Sequence, residues 1–419
     1  MKRRASIESK RFRPYKAMTI HTYRLWTWLL RRAFAWVFNL HGVNKDQMPK
    51  KGPVLLLINH QNLMDPPWVG IMAPRHISFV ATENVFRSSL LAGIIRYFGG
   101  FPTRKGSQDT SAMRNIHRLL RKGLVVGIYP EGIRTWDGLT SPINPTIASL
   151  VKVSKADVVC CRLEGAYLAL PRWAGKYRRV PVRGIFKLLY RAEAVPSDRE
   201  QILRDISTFL QSREYELKFD EKRYRRSGLA VNITTLLYRC PNCGTIEGLE
   251  VVEPLKTNRI QCANCSSRWR VTLCGRLAPL DENGAELPGT VTWAECYRRI
   301  RELPLYPIRA NRSPPLADGE ELYLASGPML LQTEGRFPVI RDLGRGQMYL
   351  TNRRFFFLSS GGPHLEISLA DMEQIATDPG GQFYFTFART RYLIIIRSES
   401  VLKWYDVLMR LRSALSPIP

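Results

Sequence analysis

The first clear pattern along the chain is VLLLI at residues 54–58, five apolar positions with neither helical nor alternating spacing. Such a run reads as a strand buried on both faces. Asp65-Pro66-Pro67 then reads as a helix start, with Asp65 as N-cap and proline in the first turn. In VFRSSLLAGIIRYF (85–98), Leu91, Ile94, Ile95 and Phe98 recur at helical spacing, and the pattern stops at Gly99-Gly100. SAMRNIHRLLRK (111–122) predicts another helix, its last turn basic and Gly123 its stop. LVVGIY (124–129) and VVCCRL (158–163) predict strands, and SDREQILRDISTFLQSREYELK (197–218) predicts a long amphipathic helix. Strand and helix alternating at this pitch predict an α/β domain over 46–218 with a mostly parallel sheet.

Farther on the pattern changes. Residues 219–235 are charged at first and read as a linker; a cysteine module spans 236–275, and one short helix is expected near TWAECYRRIREL (292–303). From about 320 the segments ELYLASG, GQMYLTNRRFFFLSS, LEISL, QFYFTFART and RYLIIIRS read as strands separated mostly by turn residues. The C-terminal ESVLKWYDVLMRLRSAL is an amphipathic helix with Val401, Trp404, Leu408, Leu411 and Leu415 on its apolar face. A separate β-rich domain over 320–416, closed by one helix, is expected. Its Arg353 and Arg354 read as surface charges of a hairpin.

Length and composition set the scale. With 419 residues, 45% of them hydrophobic, the chain suits two or three packed domains and excludes a largely disordered protein. The net charge of +27 calls for a polyanionic partner, either nucleic acid or the anionic face of a membrane. Residues 1–45 favour the membrane. Behind a basic start, YRLWTWLLRRAFAWVFNL is apolar and Trp-rich, but Arg31 and Arg32 break it before it is long enough to span a bilayer. On a helix, Leu25, Leu29, Ala33, Trp36 and Leu40 oppose Arg24 and Arg31, the pattern of a helix lying in the membrane interface.

Eight cysteines are present, and four of them form CPNC (240–243) and CANC (262–265). Two C-x-x-C pairs on either side of a strand-like stretch have the spacing of a tetrahedral zinc site rather than a disulfide framework. A reducing compartment follows. Cys240, Cys243, Cys262 and Cys265 are the expected ligands, in a module resembling a zinc ribbon. A closed four-cysteine site has no open position for catalysis, so the zinc is expected to be structural. Cys274 and Cys296 lack the spacing.

NHQNLMDPP (59–67) sits where a strand ends and a helix begins, which is where α/β proteins present reactive groups. There His60 could take a hydroxyl proton on one ring nitrogen while Asp65 fixes the other. Asn59-His60 followed by Asp65 resembles the first motif of the glycerolipid acyltransferases, typified by lysophosphatidic acid acyltransferase. In that family the histidine deprotonates an acceptor hydroxyl, which attacks the thioester of acyl-CoA or acyl-carrier protein. GGFPTRKG (99–106) is similar to the second motif, whose basic residue holds the acceptor phosphate; Lys105, with Arg104 before it, falls at that position. YPEGIRT (129–135) resembles the third motif through Glu131, Gly132 and Arg134. VVCCRLEGAY (158–167) stands in the place of the fourth motif without its usual prolines. The resemblance covers roughly residues 40–215.

The resemblance implies a membrane-associated enzyme, at the cytoplasmic face and peripheral or monotopic, acylating a lysophospholipid such as 1-acylglycerol-3-phosphate. His60 and Asp65 would be catalytic, and Arg104, Lys105, Glu131, Gly132 and Arg134 would bind substrate, with Glu131 also able to orient Arg134. Backbone N–H groups near the helix start are the expected donors to the tetrahedral intermediate. The final domain resembles the pleckstrin-homology or GRAM superfold. Two alternatives stand beside this reading. One is a basic zinc-ribbon protein that binds nucleic acid or protein, its first domain inactive; the absence of a basic cluster inside the ribbon disfavours nucleic acid. The other keeps the enzyme and changes the acceptor to glycerol-3-phosphate or an amino-acid lipid.

Overall fold

A computed structural model describes residues 37–82, 100–103, 110–220, 227–310, 313–334, 340–361, 364–378, 381–397 and 399–415, with isolated positions at 28, 33, 93, 95 and 224. Most of the helix expected over 85–98, most of residues 1–36, and both Arg104 and Lys105 lie outside the described residues; Leu40, expected on the apolar face of the interfacial helix, instead belongs to a strand. Trp173–Lys176 and the described residues from 227 onward form one compact unit, and the other described residues form a second.

The N-terminal unit is built on a seven-stranded mixed sheet. Its strands are β1 (Leu40–Val43), β2 (Val54–Ile58), β3 (Ile77–Thr82), β4 (Phe101–Thr103), β5 (Val125–Ile128), β6 (Asp157–Glu164) and β7 (Val182–Tyr190), in the order β1-β7-β6-β2-β5-β3-β4. β6, β2, β5, β3 and β4 run parallel, β7 runs antiparallel to β6, and β1 is parallel to β7. The mostly parallel expectation therefore holds, with an antiparallel turn at one edge. β1 lies within the stretch read as an N-terminal segment, because its pairing partner β7 comes from 140 residues downstream and has no local signature. Every residue of β2 is buried between β5 and β6, as a continuous apolar run requires.

Among the described residues five helices accompany the sheet: α1 (Asp65–Met72), α2 (Thr110–Arg121), α3 (Thr146–Ser154), α4 (Ala166–Ala169) and α5 (Arg199–Leu210). Leu119 and Leu120 of α2, Val151 of α3, and Ile202 and Ile206 of α5 share one core with Leu55 and Leu57. Each such side chain contributes about 1.5–3 kcal/mol by leaving water. Asp198 caps α5 by accepting from the N–H groups of Glu200 and Gln201. The helix ends at Leu210 rather than near 218, because Glu214 is drawn inward to accept the Leu168 N–H at 3.1 Å.

In the second unit, residues 229–237 are packed rather than linking: Leu229, Ala230, Ile233, Leu236 and Leu237 are all buried. The cysteine module carries an antiparallel sheet of β8 (Leu249–Val252), β9 (Arg259–Cys262), β10 (Arg268–Val271), β11 (Arg276–Leu280) and β12 (Val291–Thr292), so it continues past residue 275. Thr292 caps α6 (Trp293–Glu302) through the Glu295 N–H.

A β-rich region follows, with β13 (Leu322–Glu334), β14 (Ile340–Thr351), β15 (Arg354–Ser359), β16 (Leu365–Ser368), β17 (Glu373–Asp378), β18 (Gln382–Phe387) and β19 (Thr390–Ile395). All pairs are antiparallel, in the order β16-β15-β14-β13-β19-β18-β17. The terminal helix α7 (Val401–Leu415) buries Val401, Trp404, Leu408 and Leu411, whereas Leu415 at its end is exposed. Arg354 is not a free surface charge. It pairs with the buried Glu320 and with Glu366, and lies 4.7 Å over the Phe356 ring. Burial pushes the Glu320 carboxyl up, but Arg354, Thr351 and the Ala317 N–H outweigh it and hold the group at about 2.

Candidate active site

The loop between β2 and α1 is organised by one carboxylate. Asp65 Oδ2 accepts from His60 Nδ1 at 2.8 Å, from the Gln61 N–H at 2.6 Å and from the Asn62 N–H at 2.9 Å. Asp65 is the first residue of α1 and is not its N-cap; Met64 holds that position and makes no side-chain cap. Proline at the next two positions is tolerated because first-turn N–H groups have no intrahelical acceptor anyway. An ionised carboxylate only accepts, so Nδ1 carries the proton and Nε2 keeps its lone pair.

The rest of the loop is tied to β6 and α4. Asn59 Nδ2 donates to the Leu163 carbonyl at 3.1 Å while its Oδ1 accepts the Leu163 N–H at 2.7 Å. Asn62 Nδ2 donates to the Ala166 carbonyl at 2.6 Å. The segment in the place of the fourth motif thus holds the histidine loop through its backbone, which does not require that motif's prolines. Between β6 and α4, Gly165 adopts φ +77°, and a side chain there would collide with the Pro181 carbonyl.

His60 stacks on Tyr129 with ring centroids 4.0 Å apart, and 18% of its side chain remains exposed. Burial lowers its pKa below 6.5; the hydrogen bond and charge of Asp65 oppose this, and the positive fields of Arg134 and Arg172 add to the lowering. The ring is therefore neutral at pH 7, the state a general base needs.

The third-motif residues divide. Glu131 holds backbone: its Oε1 accepts the His60 N–H at 2.8 Å and its Oε2 accepts the Ser141 N–H at 2.7 Å. It is a clamp on the histidine backbone. Gly132 turns the chain at φ +72° with open space at its Cβ position. Arg134 acts electrostatically on His60. Arg172, passed over in the sequence, joins it: its guanidinium lies 4.0 Å over the Trp136 ring, and its Nη1 donates to the Arg134 carbonyl at 2.9 Å. Arg172 lies in PRWAGKYRR, outside the motif blocks, so no spacing marked it. The expected backbone donors are partly spent, since the N–H groups of Gln61, Asn62 and Met64 all bond to side chains of the loop.

No activated thiol adjoins the site. Cys160 and Cys161 on β6 are fully buried, and burial pushes Cys160 up to about 12 and Cys161 upward as well. Burial also pushes Glu131 up to about 8, against the pull of its two backbone N–H donors, and Glu214 likewise to about 8. The folded protein thus holds protons that the unfolded chain has lost above its ordinary glutamate pKa of 4.5. Their contribution to stability is full below about pH 4.5 and is lost as pH rises to about 8. Urea unfolding across this range should show that decline, and Glu131→Gln should flatten it by up to one proton's worth of slope. An unchanged slope would refute the assignment.

Residues 39–164 match the family model described as Acyltransferase, a stretch that contains both the His60–Asp65 pair and the Glu131–Arg134 segment. That stretch is under a third of the chain. The chain is similar to the 1-acyl-sn-glycerol-3-phosphate acyltransferase of Bacillus subtilis (strain 168), with 23% identity over 123 residues, 29% of this chain and 61% of that relative. The match thus spans about three fifths of the relative's length. Among solved structures, the 1-acyl-sn-glycerophosphate (LPA) acyltransferase PlsC of Thermotoga maritima is similar with a TM-score of 0.40 and 20% identity, covering 46% of this chain and 77% of that one.

A second cluster lies in the cysteine module. The thiols of Cys240, Cys243, Cys262 and Cys265 lie within 4.8 Å of one another. Cys240 and Cys265 are 3.7 Å apart, as are Cys243 and Cys262. Four sulfurs about 2.3 Å from a central ion would sit about 3.8 Å apart, so the donor set fits a tetrahedral metal. The two knuckles have matching backbones: Gly244 and Ser266, each just after its second cysteine, adopt φ 74° and 58°. In each the following N–H returns to the first cysteine's carbonyl.

Proposed function

We propose that the protein is a membrane-associated O-acyltransferase that moves a fatty acyl group from acyl-CoA or acyl-carrier protein to a hydroxyl of a lysophospholipid such as 1-acylglycerol-3-phosphate. The observation that carries this reading is the 2.8 Å bond from His60 Nδ1 to Asp65 within the stretch that matches the acyltransferase model. Nε2 takes the acceptor's proton as its oxygen bonds to the thioester carbon; the C–S bond then breaks, and the proton passes to the leaving thiolate. The buried thiols of Cys160 and Cys161 are unsuited to an acyl-enzyme, which supports direct transfer. Arg134 and Arg172 supply positive charge for the acceptor phosphate, with Arg104 and Lys105 as further phosphate ligands. The name of the Bacillus relative supports the choice of acceptor.

Membrane association rests on the Arg- and Trp-patterned residues 1–45 and on the net charge of +27. Among the described residues no helix is long and apolar enough to cross a membrane. The four cysteines are assigned to structural zinc, and the seven-stranded region closed by α7 is read as a PH-like module.

A labelled acyl donor tested against a panel of lysophospholipids, glycerol phosphate and hydroxyl-bearing amino-acid lipids checks the reading. Ester formed on none of them would end it. Arg134→Ala should raise the KM for a phosphate-bearing acceptor tenfold or more, as loss of one charge-assisted hydrogen bond of about 1.5–3 kcal/mol implies. The KM for the acyl donor should stay within about twofold. Equal changes in both would remove Arg134 from the phosphate site.

A further inference from the structure

A cleft of about 820 Å³ opens between α2 and the end of α3, within the size range of small-molecule sites. Arg114, His117, Arg118 and Arg121 line it from α2, and Lys155 lines it from the residue after α3. No carboxylate lines it among the described residues. Four full positive charges therefore face one concave space, where low-dielectric walls concentrate their field.

The cleft is separate from the His60 site. β2 runs from Val54, paired with Val125 and Asp157, to Ile58, and His60 follows its far end. The C-terminal ends of α2 and α3 lead into Val125 and Asp157, so they lie at the opposite ends of the central strands from His60.

A plain explanation covers only part of the charge. Cations near helix C-termini are favoured by the backbone dipole, which accounts for Arg121 and Lys155. That influence fades beyond the last turn, which holds Arg118 as well as Arg121, so it leaves Arg114 unexplained. Arg114, Arg118 and Arg121 stand at i, i+4 and i+7, where like charges work against the helix. Lys155 adopts φ 50° and ψ 40°, a left-handed conformation that glycine would take at lower cost. A cationic side chain is kept at a position where the backbone does not want it.

We propose that this cleft is a second anion site, which takes a phosphomonoester or diphosphate group and is distinct from the acyl-transfer centre. The shared chemistry could be presented by a soluble phosphate compound or by a lipid headgroup, and the test separates the two. The full chain would be titrated calorimetrically with inorganic pyrophosphate and floated with phosphatidylcholine vesicles with and without phosphatidic acid. The variants are Arg121→Glu with Lys155→Glu, the milder Arg121→Gln with Lys155→Gln, and a charge-matched control, Lys218→Glu with Lys256→Glu.

Pyrophosphate binding that weakens at least tenfold in both cleft variants, and not in the control, assigns a soluble ligand. Binding seen only with phosphatidic acid vesicles, and lost in the same way, assigns a lipid phosphate. No binding of either probe, or equal loss in the control, overturns the site. His60→Ala should leave the binding intact; its loss there would place the anion at the other end of the sheet and overturn the proposal too.

Discussion

Replacing His60 by alanine is expected to reduce the turnover of acyl transfer by about 10²–10⁴, the usual worth of a positioned general base. The loss should fall on kcat, because the ring acts on the proton in flight and does little for ground-state binding. The fold should survive, since His60 anchors the loop through its backbone: Glu131 accepts its N–H at 2.8 Å, and its carbonyl accepts the Thr135 N–H at 3.0 Å. The pH profile gives an independent check. Burial lowers the His60 pKa below 6.5, so activity should rise with pH along a limb whose midpoint lies below 6.5. Asp65 opposes the lowering, so Asp65→Asn should shift the acid limb to still lower pH while the plateau drops for want of an orienting carboxylate. Asp65 also accepts two backbone N–H groups, which makes its own variant less stable than His60→Ala. A His60→Ala protein that keeps full activity would refute the base assignment outright.

Removing the metal from the cysteine module is expected to have the largest effect on stability. The purified chain should contain about one zinc, and a strong chelator should unfold the module. Structural zinc contributes about 10–16 kcal/mol in small zinc-finger peptides, more than most domains have in total. The physical reason is visible locally. β8 to β12 are two to five residues long, and each knuckle is a tight turn held by few hydrogen bonds. Cys262→Ser should mimic chelation, because Cys262 is buried and ends β9, so loss of its thiolate removes a ligand and a core contact together. A metal-free chain with unchanged unfolding would sink the zinc assignment.

The pattern of apolar positions was sufficient for elements whose burial is continuous or strongly periodic. β2, α2, α6 and most of α7 lie where the sequence puts them. The elements it passed over depend on distant partners. β1 exists because β7 pairs with it, and β3 and β4 are edgeward strands without clear alternation. Residues 219–235 read as a linker because their charged lead-in hides Leu229, Ala230 and Ile233, which pack inside the second unit.

The site was legible in the same graded way. His60 and Asp65 are five residues apart, and a tight loop can bring such neighbours into contact. Glu131 stood out in the sequence only through its motif, since hydrogen bonding to the His60 backbone 71 residues away leaves no trace in spacing. Arg172 was invisible for the same reason.

By itself the sequence determined the chemistry on offer: a histidine with a carboxylate at a strand end, two cysteine pairs, and a large excess of positive charge. Such properties reside in residue types and short separations. Tertiary structure alone decided which carboxylate orients and which clamps, which arginines reach the imidazole, and that four cations share a cleft at the opposite ends of the central strands. Those outcomes depend on contacts between residues far apart in the chain, which become neighbours only when the sheet assembles.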